Sequence, residues 1–204
     1  DLNGKLVWEK DLGTKRMRSE FGEGSTPALH GNTIVVVWDH LNGDGSFIYA
    51  LDKRDGRELW KVARAEIDTW ATPLIVDVNG RPQAIVPAME RVRSYDLATG
   101  AVVWEGDGLT MNAIPSPVHE DGLVFLMSGF RGNDLRVVRV ADAKGNIDGT
   151  SAVVWSFDRD TPYVPSPIVV GGVLYFLKTN NGLLSAFDAK TGKAHYQNQR
   201  LDAV

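Results

Sequence analysis

Apolar and polar residues run along this chain in short stretches punctuated by turn-forming pairs. The run Thr33-Ile34-Val35-Val36-Val37-Trp38 follows Gly31-Asn32, and similar apolar runs flank Asn79-Gly80, Asp121-Gly122 and Gly171-Gly172. Such dipeptides tolerate the positive φ angles of tight hairpins, so each pair of runs reads as two antiparallel strands. Helical spacing at i, i+3 and i+4 is not sustained over a useful length, and the chain is predicted to be all-β. Four strands fit each unit, for example 27–29, 33–38, 47–51 and 57–61.

The units repeat. Asp52-Lys53-Arg54-Asp55-Gly56 is followed by Arg57-Glu58-Leu59-Trp60, and the same nine-residue frame returns as Asp96 to Gly100 with Trp104, then as Asp188 to Gly192 with Tyr196. Degenerate copies end in Trp8 and Trp155. A second marker keeps the same phase: a hydroxyl residue before proline, at Thr26, Thr72, Ser116 and Ser166, spaced by 46, 44 and 50 residues. Four-stranded antiparallel meanders of this length, each with one large aromatic in its last strand, are what a β-propeller requires. Each small sheet needs its neighbours to bury its faces, and an aromatic per blade supplies about 150–250 Å² for that seal. The Asp and Gly of the frame allow a tight turn beside it. A sandwich is the competing architecture, but it does not demand one frame at one phase. Trp8, Asp52, Gly56, Trp60, Asp96, Gly100, Trp104, Trp155, Asp188, Gly192 and Tyr196 are therefore expected to be docking positions.

Composition narrows the classes. The chain has 204 residues, is 43% hydrophobic and 24% charged, and carries a net charge of −4 with no run of five like charges. That excludes a disordered chain and gives no nucleic-acid footprint. No apolar stretch approaches the roughly 18 residues of a membrane helix, and no signal peptide is visible. With no cysteine, disulfides and thiolate chemistry are out of reach, while the compartment stays open.

The frame Ala50-Leu51-Asp52-x-x-x-Gly56-x-x-x-Trp60 and its copies resemble the pyrroloquinoline-quinone-type propeller repeat. Stretches such as Trp70-Ala71-Thr72-Pro73, Arg93 to Gly100 and Ser128 to Gly132 are most similar to secreted bacterial members. The resemblance spans essentially the whole chain and implies a periplasmic or secreted location and about eight blades. Within residues 1–204, residues 1–12 are then expected to be the last strand of a preceding blade, and 25–61, 72–105, 116–156 and 166–197 to be four blades. This amounts to half a ring, completed by the remaining blades of a longer chain or by a second copy.

In a propeller, the connections from the last strand of one blade to the first of the next share a rim with the loops between second and third strands, and ligands usually sit there. The richest such segment is Arg64-Ala65-Glu66-Ile67-Asp68-Thr69-Trp70, whose carboxylates are candidate bases or metal ligands and whose indole is a candidate stacking surface. The bland alternative is that Arg64 pairs with Glu66 or Asp68 and Trp70 packs between blades. Asp39, Asn42 and Asp44 bring oxygen ligands close together, but their register is wrong for an EF-hand, and a polar turn accounts for them. His30, His40, His119 and His195 lack metal-ligand spacing. Ser25, Ser116 and Ser166 sit where hydroxyls satisfy backbone groups, without a G-x-S-x-G elbow. Arg131 can be offered to an anionic or quinone ligand by its loop.

Two functions follow. The first is a non-catalytic binding module of an exported protein that contacts a protein, peptide or glycan through its rim, with Arg64, Trp70, Asn112, Arg131 and Tyr163 as anchors. The second, which the resemblance implies, is part of a quinone-dependent alcohol or sugar dehydrogenase, with Glu66, Asp68 and Asn112 serving the quinone's calcium ion and base chemistry. Such enzymes often cover the cofactor with a vicinal disulfide, which this chain cannot form. Fold alone does not choose between them.

Overall fold

A computed structural model of the chain describes residues 3–42, 45–178 and 182–201. Apart from one 3-10 turn, Arg18–Glu20, every described element is a strand. The first sheet contains β1 (Ala28–His30), β2 (Thr33–Trp38), β3 (Phe47–Asp52) and β4 (Glu58–Ala63), and the second β5 (Leu74–Val78), β6 (Arg81–Val86), β7 (Arg91–Asp96) and β8 (Val102–Asp107). In the third, β9 (Val118–Glu120), β10 (Leu123–Ser128) and β11 (Asp134–Arg139) are followed by a short β12 (Gly145–Asn146) and then β13 (Val153–Phe157). The fourth holds β14 (Ile168–Val170), β15 (Val173–Lys178), β16 (Leu183–Asp188) and β17 (Ala194–Arg200). Each sheet is built on a four-stranded antiparallel meander, with β12 added in parallel at the edge of the second sheet, and the four are blades of a β-propeller. The pairs Asn79-Gly80, Asp121-Gly122 and Gly171-Gly172 all have positive φ at both residues, as the tightest hairpins need.

The core lies between blades. Val35, Val37, Ile48, Ala50 and Trp60 of the first blade pack on Ala84, Val86, Tyr95 and Leu97 of the second. Ile85 and Val92, on the opposite face of that second sheet, pack with Val124, Leu126 and Val138 of the third blade. Leu123, Phe125 and Met127 point the other way and meet Leu174, Phe176 and Phe187 of the fourth. Because successive strand residues face opposite sides, a strand sealed on both faces must be apolar throughout. That is why β10 reads Leu-Val-Phe-Leu-Met and is buried along its whole length.

The nine-residue frame makes the joints. Trp60 donates its indole N–H to the Leu97 carbonyl at 2.8 Å, Trp155 to Ala189 at 3.0 Å, and Trp8 to Lys53 at 2.7 Å. Each ring lies on the glycine of the next frame, so tightly that a Cβ would stand 2.6 Å from Trp8 at Gly56, 2.8 Å from Trp60 at Gly100 and 2.7 Å from Trp155 at Gly192. All three glycines also have φ near +70°. The frame's aspartate organises the turn from inside: Asp188 Oδ1 accepts the Lys190 and Thr191 N–H groups and the Thr191 hydroxyl, and Asp96 does the same for Ala98 and Thr99.

The second marker forms a ladder around the axis. Thr26 N–H donates to Thr72 Oγ1 at 3.2 Å, Thr72 N–H to Ser116 Oγ at 3.0 Å, and Ser116 N–H to Ser166 Oγ at 3.0 Å. The hydroxyls of Thr72, Ser116 and Ser166 thus each satisfy the backbone of the preceding blade.

Three docking positions differ in detail from the complete frame. Trp104 is fully buried in the core between the second and third blades, although its indole N–H has no acceptor among the described residues. The third blade lacks the Asp-x-x-x-Gly turn that offers the carbonyl, and β12 instead pairs in parallel with β8 at Trp104 and Glu105 to close the joint. Tyr196 sits half-buried in β17, and the described residues include no fifth sheet for it to dock on. Around Trp8, residues 5–12 form no strand, because no described strand lies alongside to pair with them; only the indole joint is kept.

Two outcomes test the joints. Gly100→Ala is expected to lower unfolding free energy by about 2–4 kcal/mol through ring overlap and a disfavoured φ, whereas Gly80→Ala, in open space, costs about 1 kcal/mol; equal losses in urea titrations would refute the joint. The turn hydrogen bonds from Thr191 hold the Asp188 carboxyl below its ordinary value of 3.8. Its contribution is therefore complete above that value and is lost as pH falls through the lowered folded-state value. Asp188→Asn should flatten the acid limb of the stability profile, and an unchanged limb would show that the turn does not respond to protons.

Candidate functional site

The connections that enter the first strands build one mouth, and repeat phase determines what lines it. Gly24, Trp70, Ile114 and Val164 each lie two residues before the hydroxyl of the ladder, and all four line a single cleft of about 500 Å³. Phe21, Asn112, Tyr163, Ser116 and Ser166 complete it. Trp70 is pinned by its indole N–H, which donates to the Gly22 carbonyl at 3.0 Å, and by the absence of a side chain at Gly24, whose Cβ would stand 3.0 Å from the ring. Tyr163 stacks on Phe130 with centroids 4.7 Å apart. Asn112 is buried, sits at φ +57°, and its Oδ1 has no partner among the described residues. Four residues before the ladder hydroxyl, the left-handed conformation recurs at Gly22, Asp68 and Asn112.

Of the anchors expected from sequence, the fold brings Trp70, Asn112 and Tyr163 together here. Arg131 is exposed, with its guanidinium over the neighbouring Phe130 ring at 5.5 Å. Arg64 is not on the rim at all. It is buried, forms a two-pronged pair with Asp39 at 2.9 and 3.2 Å, and donates to Tyr95 at 2.7 Å. Burial opposes the Arg64 charge, but the Asp39 carboxylate more than offsets this and holds the guanidinium above its ordinary value. Neither partner named for Arg64 from sequence is the observed one: Glu66 pairs with Arg93 and accepts the Glu90 N–H, and Asp68 faces Arg18. Burial raises the pKa of both Glu66 and Asp68. The signal missed in Ile114 and Val164 was positional, since their residue types are unremarkable and only their phase marks them, while Phe21, five residues before Thr26, lies outside that phase and carries no such mark.

The metal and cofactor expectations resolve differently. Asp39 is committed to Arg64, Asn42 is exposed, and Asp44 lies outside the described residues. No three acidic or histidine side chains gather around a metal position among the described residues. Glu66 is held by Arg93, and Asp68 meets Arg18 through Oδ2 alone, so the described donors offer one unpartnered carboxylate oxygen, Asp68 Oδ1, and the Asn112 amide oxygen rather than a full calcium set.

Fold and repeat together define a β-propeller of the quinoprotein-like type. The chain belongs to the family described as outer membrane protein assembly factor BamB, whose model matches residues 1–146 and 88–203. A BamB of Yersinia pestis is 23% identical over 93% of this chain and 48% of its own length. The quinoprotein alcohol dehydrogenase PedE of Pseudomonas putida is 22% identical over 80% of this chain and 32% of itself. The crystal structure of BamB from Moraxella catarrhalis superposes with a TM-score of 0.65 at 22% identity, covering 97% of this chain and 54% of that one. The chain thus spans about half the length of the BamB relatives it matches across its length. Family membership places it in the periplasmic or secreted compartment, and no described helix is long and apolar enough to cross a membrane.

The Arg64 pair generates one prediction. Asp39→Asn leaves a guanidinium buried without its counter-charge and is expected to cost about 3–5 kcal/mol. Urea unfolding measures this, and a loss below about 1 kcal/mol, the worth of an exposed pair, would mean that water reaches the site.

Proposed function

We propose that this chain is a binding module of an exported envelope protein, which grips its ligand by surface complementarity in the cleft of Trp70, Asn112 and Tyr163. One observation carries the reading. Three rim connections from three different blade junctions deliver an indole, a buried amide and a phenol to one concave mouth, whereas Glu66 is committed to Arg93 and Asp68 faces Arg18, and neither lines that mouth. Concave, mostly apolar sites with a few polar groups on a rigid scaffold are the usual form of a binding pocket. The name of the BamB relatives supports a setting in outer-membrane protein assembly, with a protein or peptide partner at the rim; a glycan is the other ligand class that the mouth suits.

The rival reading, part of a quinone-dependent alcohol or sugar dehydrogenase, draws support from PedE but not from the donor set. A photo-crosslinking residue at the exposed Val164 in the mouth, compared with one at Val102 on the outer strand β8, separates the readings inside the native host. Discrete adducts at 164 and none at 102 are expected, and adducts at neither position would sink the mouth as a binding site. Pyrroloquinoline quinone with calcium is expected to leave the melting temperature unchanged; a shift together with dye-linked alcohol oxidation would establish the rival.

A further inference from the structure

We infer that the ligand held in the axial cleft is a neutral glycan, a step that rests on the binding reading above and specifies its chemistry. Among the described residues the cleft is lined by no Asp, Glu, Lys, Arg or His: its walls are Phe21, Trp70, Ile114, Tyr163 and Val164, and its polar groups Asn112, Ser116 and Ser166. A charged ligand would find no counter-ion there, and the desolvation of its charge would go uncompensated. Flat apolar faces next to hydroxyl and amide groups instead match a pyranose ring, which offers C–H bonds on its faces and hydroxyls around its edge.

Each polar group has capacity left for such a ring. Asn112 is 6% exposed and its Oδ1 is unpartnered, although buried polar atoms are nearly always satisfied. Turning the amide about its last torsion exchanges oxygen and nitrogen, so the group can present an acceptor or a donor to a sugar hydroxyl. Ser116 Oγ and Ser166 Oγ each accept a backbone N–H from the blade before. Their hydroxyl protons are not used in those bonds and remain available to donate. The two aromatic walls are fixed in advance, Trp70 by the Gly22 carbonyl and Tyr163 by Phe130, so binding loses little side-chain entropy to order them. A volume of about 500 Å³ falls within the roughly 300–1,000 Å³ of ordinary ligand pockets.

An extended peptide with an apolar side chain is the competing occupant. It would use the aromatic walls and its backbone carbonyls can accept from the serine hydroxyls, but it offers fewer hydrogen-bonding groups around a flat apolar face than a sugar ring does. The glycan satisfies walls and hydroxyls together.

Calorimetric titration of the full chain with cellotriose, maltotriose and chitotriose tests the inference, with a neutral aromatic tripeptide amide as comparator. At least one trisaccharide is expected to bind, equally at low and high salt, and Trp70→Ala to weaken it about tenfold or more. Val164→Glu at the exposed lip serves as a second variant that leaves the core intact and should weaken binding similarly. Binding of the tripeptide alone, lost in both variants, overturns the glycan but keeps the cleft as the site. Strongly salt-dependent binding overturns the neutral class. No binding by any probe overturns the glycan, and only if joined by absence of adducts at 164 does it also remove the binding reading.

Discussion

An indole ring lying on a bare glycine of the next sheet is the interaction on which this architecture depends. A four-stranded blade is too small to shield either of its faces, so its apolar side chains are protected only when the neighbouring blade stands at a fixed distance. At Trp60 and Gly100 that distance is set by a ring against a backbone with no Cβ, and the indole N–H bonded to Leu97 O fixes the orientation. The three inter-blade cores follow from this spacing, and so does the strict alternation of β6, where Ala84 and Val86 face one neighbour and Ile85 the other.

The joint between the second and third blades shows what happens when the frame is missing. Trp104 is sealed from water without an acceptor, and a two-residue strand from the insertion after β11 is laid against β8 to cover it. Packing area has replaced directional bonding there, at the cost of a buried N–H left unsatisfied. The joint between the third and fourth blades returns to the frame through Trp155 and Gly192 and adds the Glu120 carboxylate, which accepts the N–H groups of Gly171 and Gly172.

Charge is distributed so that the mouth stays neutral. Arg64 pairs with Asp39 within the first blade and reaches Tyr95 of the second, and Glu66 pairs with Arg93 of the second; none of the four charged groups lines the cleft. Such pairs contribute less to net stability than to uniqueness of the arrangement, because desolvation offsets much of their attraction. They also remove from the cleft the carboxylates that general base or metal chemistry would need, which leaves aromatic faces, one amide and hydroxyls.

Fold class, blade count and docking frame were legible in the sequence because they rest on local, periodic constraints. A two-residue alternation specifies strands, Asn-Gly and Asp-Gly specify hairpins, and a frame recurring after 44 residues must serve a recurring joint. The hydroxyl-proline marker was visible for the same reason, although not that its partner is the backbone of the blade before. Partner choice among charges was not legible. Arg64 lies two residues from Glu66 yet pairs with Asp39, 25 positions away, because pairing follows which strands end side by side. The cleft likewise belongs to tertiary structure: Gly24, Trp70, Ile114 and Val164 share a phase but no chemical character, and only the closing of blades around an axis brings them to one surface.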